Sequence, residues 1–195
     1  MAINDAVGIK KKNIEVQKFF RRYFKLRFII IIVIFILLFL LYKGFFKAAI
    51  LMLIFTPTVV YSMRISKFIP NLNIEVLSAS SLLIGYLYGP IPAAFFAIVV
   101  GFFGIFKSNY VTYLFIVRII CTALVAAIMS FYTSINFNLN FILGILLMNV
   151  ILWFVYLVID PDPLQNVTHR ISHLFWNLLV VRFIYVALYE LVKRI

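Results

Sequence analysis

The sequence predicts an all-α integral membrane protein, a polytopic bundle of 6–7 transmembrane helices, and three observations carry that prediction. Hydrophobic residues make up 66% of the 195-residue chain and charged residues 12%, where a soluble domain has roughly 45–50% and about 25%. The apolar residues fall in long runs, and the mean hydropathy is +1.13, more than a soluble core of this length could hide from water. The charge is concentrated: eight of the 18 Lys and Arg residues lie within residues 1–27, which also explains much of the net charge of +12 without any nucleic-acid partner. No polar linker divides the remainder of the chain. The expected organisation is therefore a basic cytoplasmic or interfacial segment, 1–27, followed by one transmembrane domain, 28–195.

In residues 1–27 the basic positions alternate with Phe19, Phe20, Tyr23 and Phe24, a pattern suited to an interfacial helix on anionic lipid. The next run, about 28–42, is almost purely apolar and reads as the first span; it is too long for a removable leader, and no small-residue cleavage site follows it. A second span is expected over 45–62, broken at Thr56-Pro57-Thr58 because Pro57 removes a backbone donor. Arg64 and Lys67 then mark a basic loop ending at Pro70-Asn71. Two short helices follow, 74–88 and 92–106, separated by a turn at Gly89-Pro90-Ile91-Pro92 in which Pro92 suits a helix start. The remaining spans are expected at 110–132, 139–159 and 171–192, with polar loops at 133–138 and 160–170.

Positive charge sets the orientation. With the N-terminus inside, the cytoplasmic side carries twelve basic residues and the outer side four, with Arg118 and Arg182 left inside helices. The expectation is a multi-pass protein of the cell membrane with a cytoplasmic N-terminus.

Those two arginines are the natural site candidates. A guanidinium at the centre of a span costs at least about 2.5–3.5 kcal/mol, so it needs a partner or a wet cavity. Glu75 and Glu190 are the acids nearest the spans. A cavity in which Arg118 and Arg182 meet an anionic ligand, with Glu75, Asn149 and Asn177 beside them, is one reading. Internal pairing, Glu75 with Arg118 and helix carbonyls around Arg182, is the other. Asn149 and Asn177 also read as hydrogen-bond glue between helices. His169 and His173 stand four apart and, with Asp160 or Asp162, offer metal-ligand chemistry, but no third ligand has diagnostic spacing and no metal is predicted. Cys121 gives no disulfide or redox signal. No P-loop, Gly-x-Ser-x-Gly elbow or His-Glu-x-x-His motif occurs, so neither an enzyme nor a cofactor is predicted.

Small residues recur four apart in the central helix pair: Ser81, Gly85 and Gly89 on the first, Ala93, Ala97 and Gly101 on the second. Such ridges let backbones approach closely in lipid, within the hairpin or against a partner. The stretch PNLNIEVLSASSLLIGYLYGPIPAAFFAIVVGFFG, around residues 70–104, resembles the helix pair of the membrane superfamily that includes energy-coupling factor transporter S components and the rod-shape protein MreD. Gly85, Gly89, Pro90, Ala93, Ala97 and Gly101 stand at the corresponding points. The resemblance implies a six-helix domain over 45–193 and one of two functions. An S component binds a small solute and is driven by a separate transmembrane coupling subunit with ATPases. An MreD-like protein is a scaffold in cell-shape or envelope assembly.

Overall fold

Helix is the only regular structure among the described residues, which in the computed structural model are 33, 45–68, 76–108, 113–159 and 163–194. The chain divides into two units, Met1–Phe46 and Lys47–Ile195. The first contributes Val33, an exposed helical residue, and the opening residues of the next helix; the expected basic segment and first span otherwise lie outside the described residues. The second unit holds the bundle. Its helices are α1 (Phe45–Phe68), α2 (Leu77–Tyr88), α3 (Pro90–Ser108), α4 (Tyr113–Met129), α5 (Phe137–Ile159), α6 (Pro163–Trp176) and α7 (Arg182–Lys193), the last two joined by a π-helical turn, Asn177–Val181.

Among the described residues, four stretches are long and apolar enough to cross a membrane: Phe46–Ile65, Pro90–Ser108, Phe137–Ile159 and Arg170–Lys193. Leu77–Tyr88 and Tyr113–Met129 are apolar but shorter. These helices suggest a membrane-embedded protein.

Three expectations are corrected. The second span is not broken at Pro57: α1 runs through it to Phe68, so Arg64 and Lys67 lie on helix rather than in a loop. Pro57 is on the exposed face, and the Thr56 hydroxyl donates to the Met52 carbonyl at 2.6 Å, stabilising the turn that lacks the proline's donor. The turn between α2 and α3 is Gly89 alone, at φ 94°. Pro90, not Pro92, is the first helical residue; both prolines sit in the first turn, where a missing N–H costs nothing. Finally, the polar stretch from Pro163 is helix, not loop. It forms the amphipathic α6, which continues into the last span.

The helices run alternately up and down. At one end the Ser62 hydroxyl accepts from the Val76 N–H at 3.3 Å, and the Tyr156 hydroxyl donates to the Leu114 carbonyl at 2.9 Å. These bonds bring together the end of α1, the start of α2, the end of α5 and the start of α4. At the other end Asn140 donates to the carbonyls of Met129 and Tyr132, and Asn136 caps α5 by accepting from the Leu139 N–H at 2.8 Å.

The small-residue ridges are used inside the bundle. Ser81, Ala93, Ala97 and Gly101 are buried. A Cβ added at Gly85 would stand 2.9 Å from the Ala126 carbonyl oxygen and 3.1 Å from the Ala93 Cβ. Gly85 therefore marks where α2 touches the α4 backbone directly and the small Ala93 side chain of α3. Ala48 and Ala49 are likewise buried, on the stripe that α1 turns inward with Met52, Phe55, Val59 and Met63.

Gly85→Ala is expected to destabilise the protein by about 1–3 kcal/mol, because the obstructing atom is backbone. Gly144→Ala, whose new Cβ would meet side-chain atoms alone, the two Leu82 methyls at 2.6 and 2.9 Å and the Met129 Cγ at 3.3 Å, is expected to cost less. Thermal unfolding of the two purified variants in the same detergent checks the order.

Candidate functional site

The polar interior is built on the long helix formed by α6, the π-turn and α7. Arg170, His173, Asn177, Val181 and Tyr185 are all buried, and Tyr189 continues the row. Their spacing is three and then four residues. On a straight α-helix each step of four drifts by roughly 40°, so the row would wind off the buried face. The π-turn prevents this. Its wider bond, from the Arg182 N–H to the Asn177 carbonyl, absorbs one extra residue and keeps Tyr185 and Tyr189 on the side of His173. The Asn177 side chain donates to the His173 carbonyl at 3.0 Å, just where the helix changes pitch.

His173, fully buried, meets Asn149 of α5: its Nδ1 donates to the Asn149 Oδ1 at 3.2 Å. Asn149 in turn donates to its own helix at Ile145, 2.8 Å away. Toward the α5 C-terminus, the Arg170 guanidinium lies 4.3 Å from the centre of the Tyr156 ring. Arg118, only 3% exposed, is buried one turn further along α4 from Leu114, whose carbonyl accepts from the Tyr156 hydroxyl. Beyond the π-turn, the hydroxyls of Ser80 and Tyr185 are 2.6 Å apart and join α2 to α7. The result is a seam of buried polar groups between α2, α4, α5 and the last helix. Its members are hydrogen-bond donors, acceptors and fixed cations, suited to holding and orienting a polar molecule.

The seam is not fully satisfied from within. The Asn177 Oδ1 and the Ser78 hydroxyl, both on residues with 0% exposure, have no hydrogen-bond partner among the described residues. An acceptor left in that state costs about 1–3 kcal/mol.

Of the residues singled out in the sequence, the structure brings together Asn149 and Asn177 through His173, and Arg118 is buried on α4. Arg182 does not join them. It lies about 18 Å along the helix from Arg170 at 1.5 Å per residue, half-buried, with its guanidinium 4.8 Å from the exposed Phe183 ring. Glu75, Asp160, Asp162 and the His169 side chain lie outside the described residues. Among the described residues, no three His, Cys, Asp or Glu side chains gather as metal ligands. Arg170 is a member that sequence reading missed, since it falls in a stretch read as a polar loop, and His173, named from the sequence only as a metal-ligand candidate with His169, instead bonds Asn149. The signal was there in the row 170, 173, 177, 181, 185 and 189. It follows no single helical period and is legible only if a π-turn is allowed.

Comparison with family models, curated proteins and solved structures finds no match for this chain.

Asn149→Leu and His173→Leu are each expected to destabilise by about 1–3 kcal/mol, since each leaves a buried partner unsatisfied. The double variant should lose less than the sum of the two by at least about 0.5 kcal/mol, the mark of a direct contact. Chemical or thermal unfolding of all four proteins in detergent completes the cycle.

Proposed function

We propose that the chain is a multi-pass membrane subunit that binds a small polar solute within its helix bundle, as its resemblance to energy-coupling factor S components implies. The observation that carries this reading is the Asn177 Oδ1: a fully buried acceptor with no partner among the described residues, set between His173 and the π-turn. A solute donor placed there recovers the hydrogen bond that the protein leaves unmade. Arg118 and Arg170 lie further along the seam. Both are fixed positive charges, which attract an acceptor-rich, anionic group of the same solute. Solute contact is thus assigned to Arg118, Asn149 and Asn177, with Arg170 and His173 added. Arg182 serves the outer part of its helix, and Glu75 stands at the α2 entrance by sequence alone.

With a cytoplasmic N-terminus, the arginine end of the seam faces the cytoplasm. This chain carries no P-loop, so uptake against a gradient requires a coupling subunit with ATPases. A second reading, an MreD-like scaffold for envelope assembly, is favoured by one observation: the backbone contact at Gly85 makes α2, α3 and α4 a close-packed, rigid platform.

Native mass spectrometry from mild detergent separates the two. Transport predicts a small molecule retained by the wild-type protein, with retention reduced at least about tenfold in Arg118→Ala and Asn177→Leu, the loss of about one buried hydrogen bond to a charged or polar group. A protein that never carries a ligand, in wild-type or variant form, removes the transport reading and leaves the scaffold.

A further inference from the structure

The end of the bundle opposite the arginines holds a cavity of about 440 Å³ that the polar seam does not use. Small-molecule sites fall at roughly 300–1,000 Å³. Its floor is aromatic: Phe137 and Tyr189 stack at 4.8 Å between centroids, and Tyr86 meets them edge-on at 5.2 and 5.3 Å. Its roof is the α4–α5 loop, pinned by the Tyr86 hydroxyl, which donates to the Ile135 carbonyl at 2.8 Å. Two charges open into it from α7, Glu190 and Lys193, both exposed. Among the described residues these two form no ion pair with each other; the Lys193 ammonium instead rests 5.9 Å above the Tyr189 ring.

A carboxylate and an ammonium three residues apart on one helix face select by charge. A simple cation gains from Glu190 and is repelled by Lys193, and a simple anion meets the reverse. A molecule with both charges gains from both. The three rings pack on one another, and the Lys193 ammonium already stands over Tyr189, an arrangement unlike the open cage that recognises a quaternary ammonium. The loop instead offers hydroxyls from Thr133 and Ser134, and the first turn of α5 a carboxamide from Asn138, which accept hydrogen bonds from a primary ammonium. Phe131 and Tyr132, which precede the lining residue Thr133 in the chain, are 74% and 54% exposed, an aromatic pair of the kind found at headgroup level.

From this geometry we propose that the cavity binds a zwitterion made of a primary ammonium and a phosphate, the chemistry of an ethanolamine phospholipid headgroup or of its free counterpart. The phosphate meets Lys193, and the ammonium meets Glu190 and the loop acceptors. The site is separate from the buried seam and does not depend on what the seam binds.

The test uses the full chain in nanodiscs of equimolar phosphatidylethanolamine and phosphatidylglycerol, with retained lipid read by native mass spectrometry. Phosphatidylethanolamine should be enriched about fivefold, the upper range for exposed charge contacts. The Glu190→Gln/Lys193→Gln double variant should lose the enrichment. Both side chains are exposed, so an unchanged unfolding temperature shows that the loss is local. Displacement of the lipid by excess free phosphoethanolamine assigns the site to the soluble zwitterion, and enrichment that survives it assigns the site to the lipid. Equal retention of the two lipids by the wild-type protein, or a preference that persists in the double variant, overturns the proposal. Arg118→Ala should leave the enrichment intact, which separates this result from the fate of the solute-binding reading.

Discussion

A polar group inside an apolar bundle must find its partners within the protein, because lipid offers none. That constraint organises the second half of this chain. His173 reaches α5 through Asn149, Asn177 turns back onto its own helix, and Tyr185 reaches α2 through Ser80. Each bond crosses or stiffens a contact between helices whose apolar faces alone would not fix their rotation. In lipid such bonds are individually modest, commonly under about 1 kcal/mol. Their value here lies in orientation, since leucine against leucine tolerates rotation and a carboxamide against an imidazole does not.

The first half of the bundle solves the same problem by shape. α2 carries serines at 78, 80 and 81, all buried, and two of them donate to the preceding turn of their own helix, Ser80 to Val76 and Ser81 to Leu77. With its hydroxyl folded back, Ser81 behaves as a small apolar group, and α3 and α4 can approach as closely as the Gly85 contact requires. The bundle thus joins a hairpin held by close backbone packing to a long helix held by hydrogen bonds. The polar seam lies where the two meet.

The hairpin was legible in the sequence because its signals are local. Four-residue spacing of small residues and a Gly-Pro pair state the packing and the turn directly, and α2 to α5 fall within a few residues of their expected positions. Three features were not legible, each for a physical reason. Pro57 reads as a break, yet a proline on an exposed helix face loses one hydrogen bond and little else when a neighbouring threonine supports the turn. The stretch from Pro163 reads as a loop because its residues are polar, yet polarity on one face is what an amphipathic helix entering a bilayer requires. Arg170 and His173 then read as interfacial, and only the continuation of the helix shows them turning inward. Burial of an ionisable side chain is a tertiary fact, and hydropathy runs report only the average environment of a window.

The π-turn explains why that helix carries polar groups along so much of its length. A regular α-helix presents one stripe, and a row spaced by four residues leaves that stripe after about two turns. Asn177–Val181 resets the row. The extra residue also fixes where Arg182 points: it follows the buried Val181 directly, so it is rotated roughly 100° from the buried face and stays half-buried beside Phe183. The same local distortion therefore keeps Tyr185 inside and turns Arg182 away. Arg118 and Arg182, which look equivalent in the sequence because each lies inside an apolar run, therefore occupy different environments. Arg118, on a regular helix with no such turn, keeps the inward position that its neighbours Ile119 and Thr122 share.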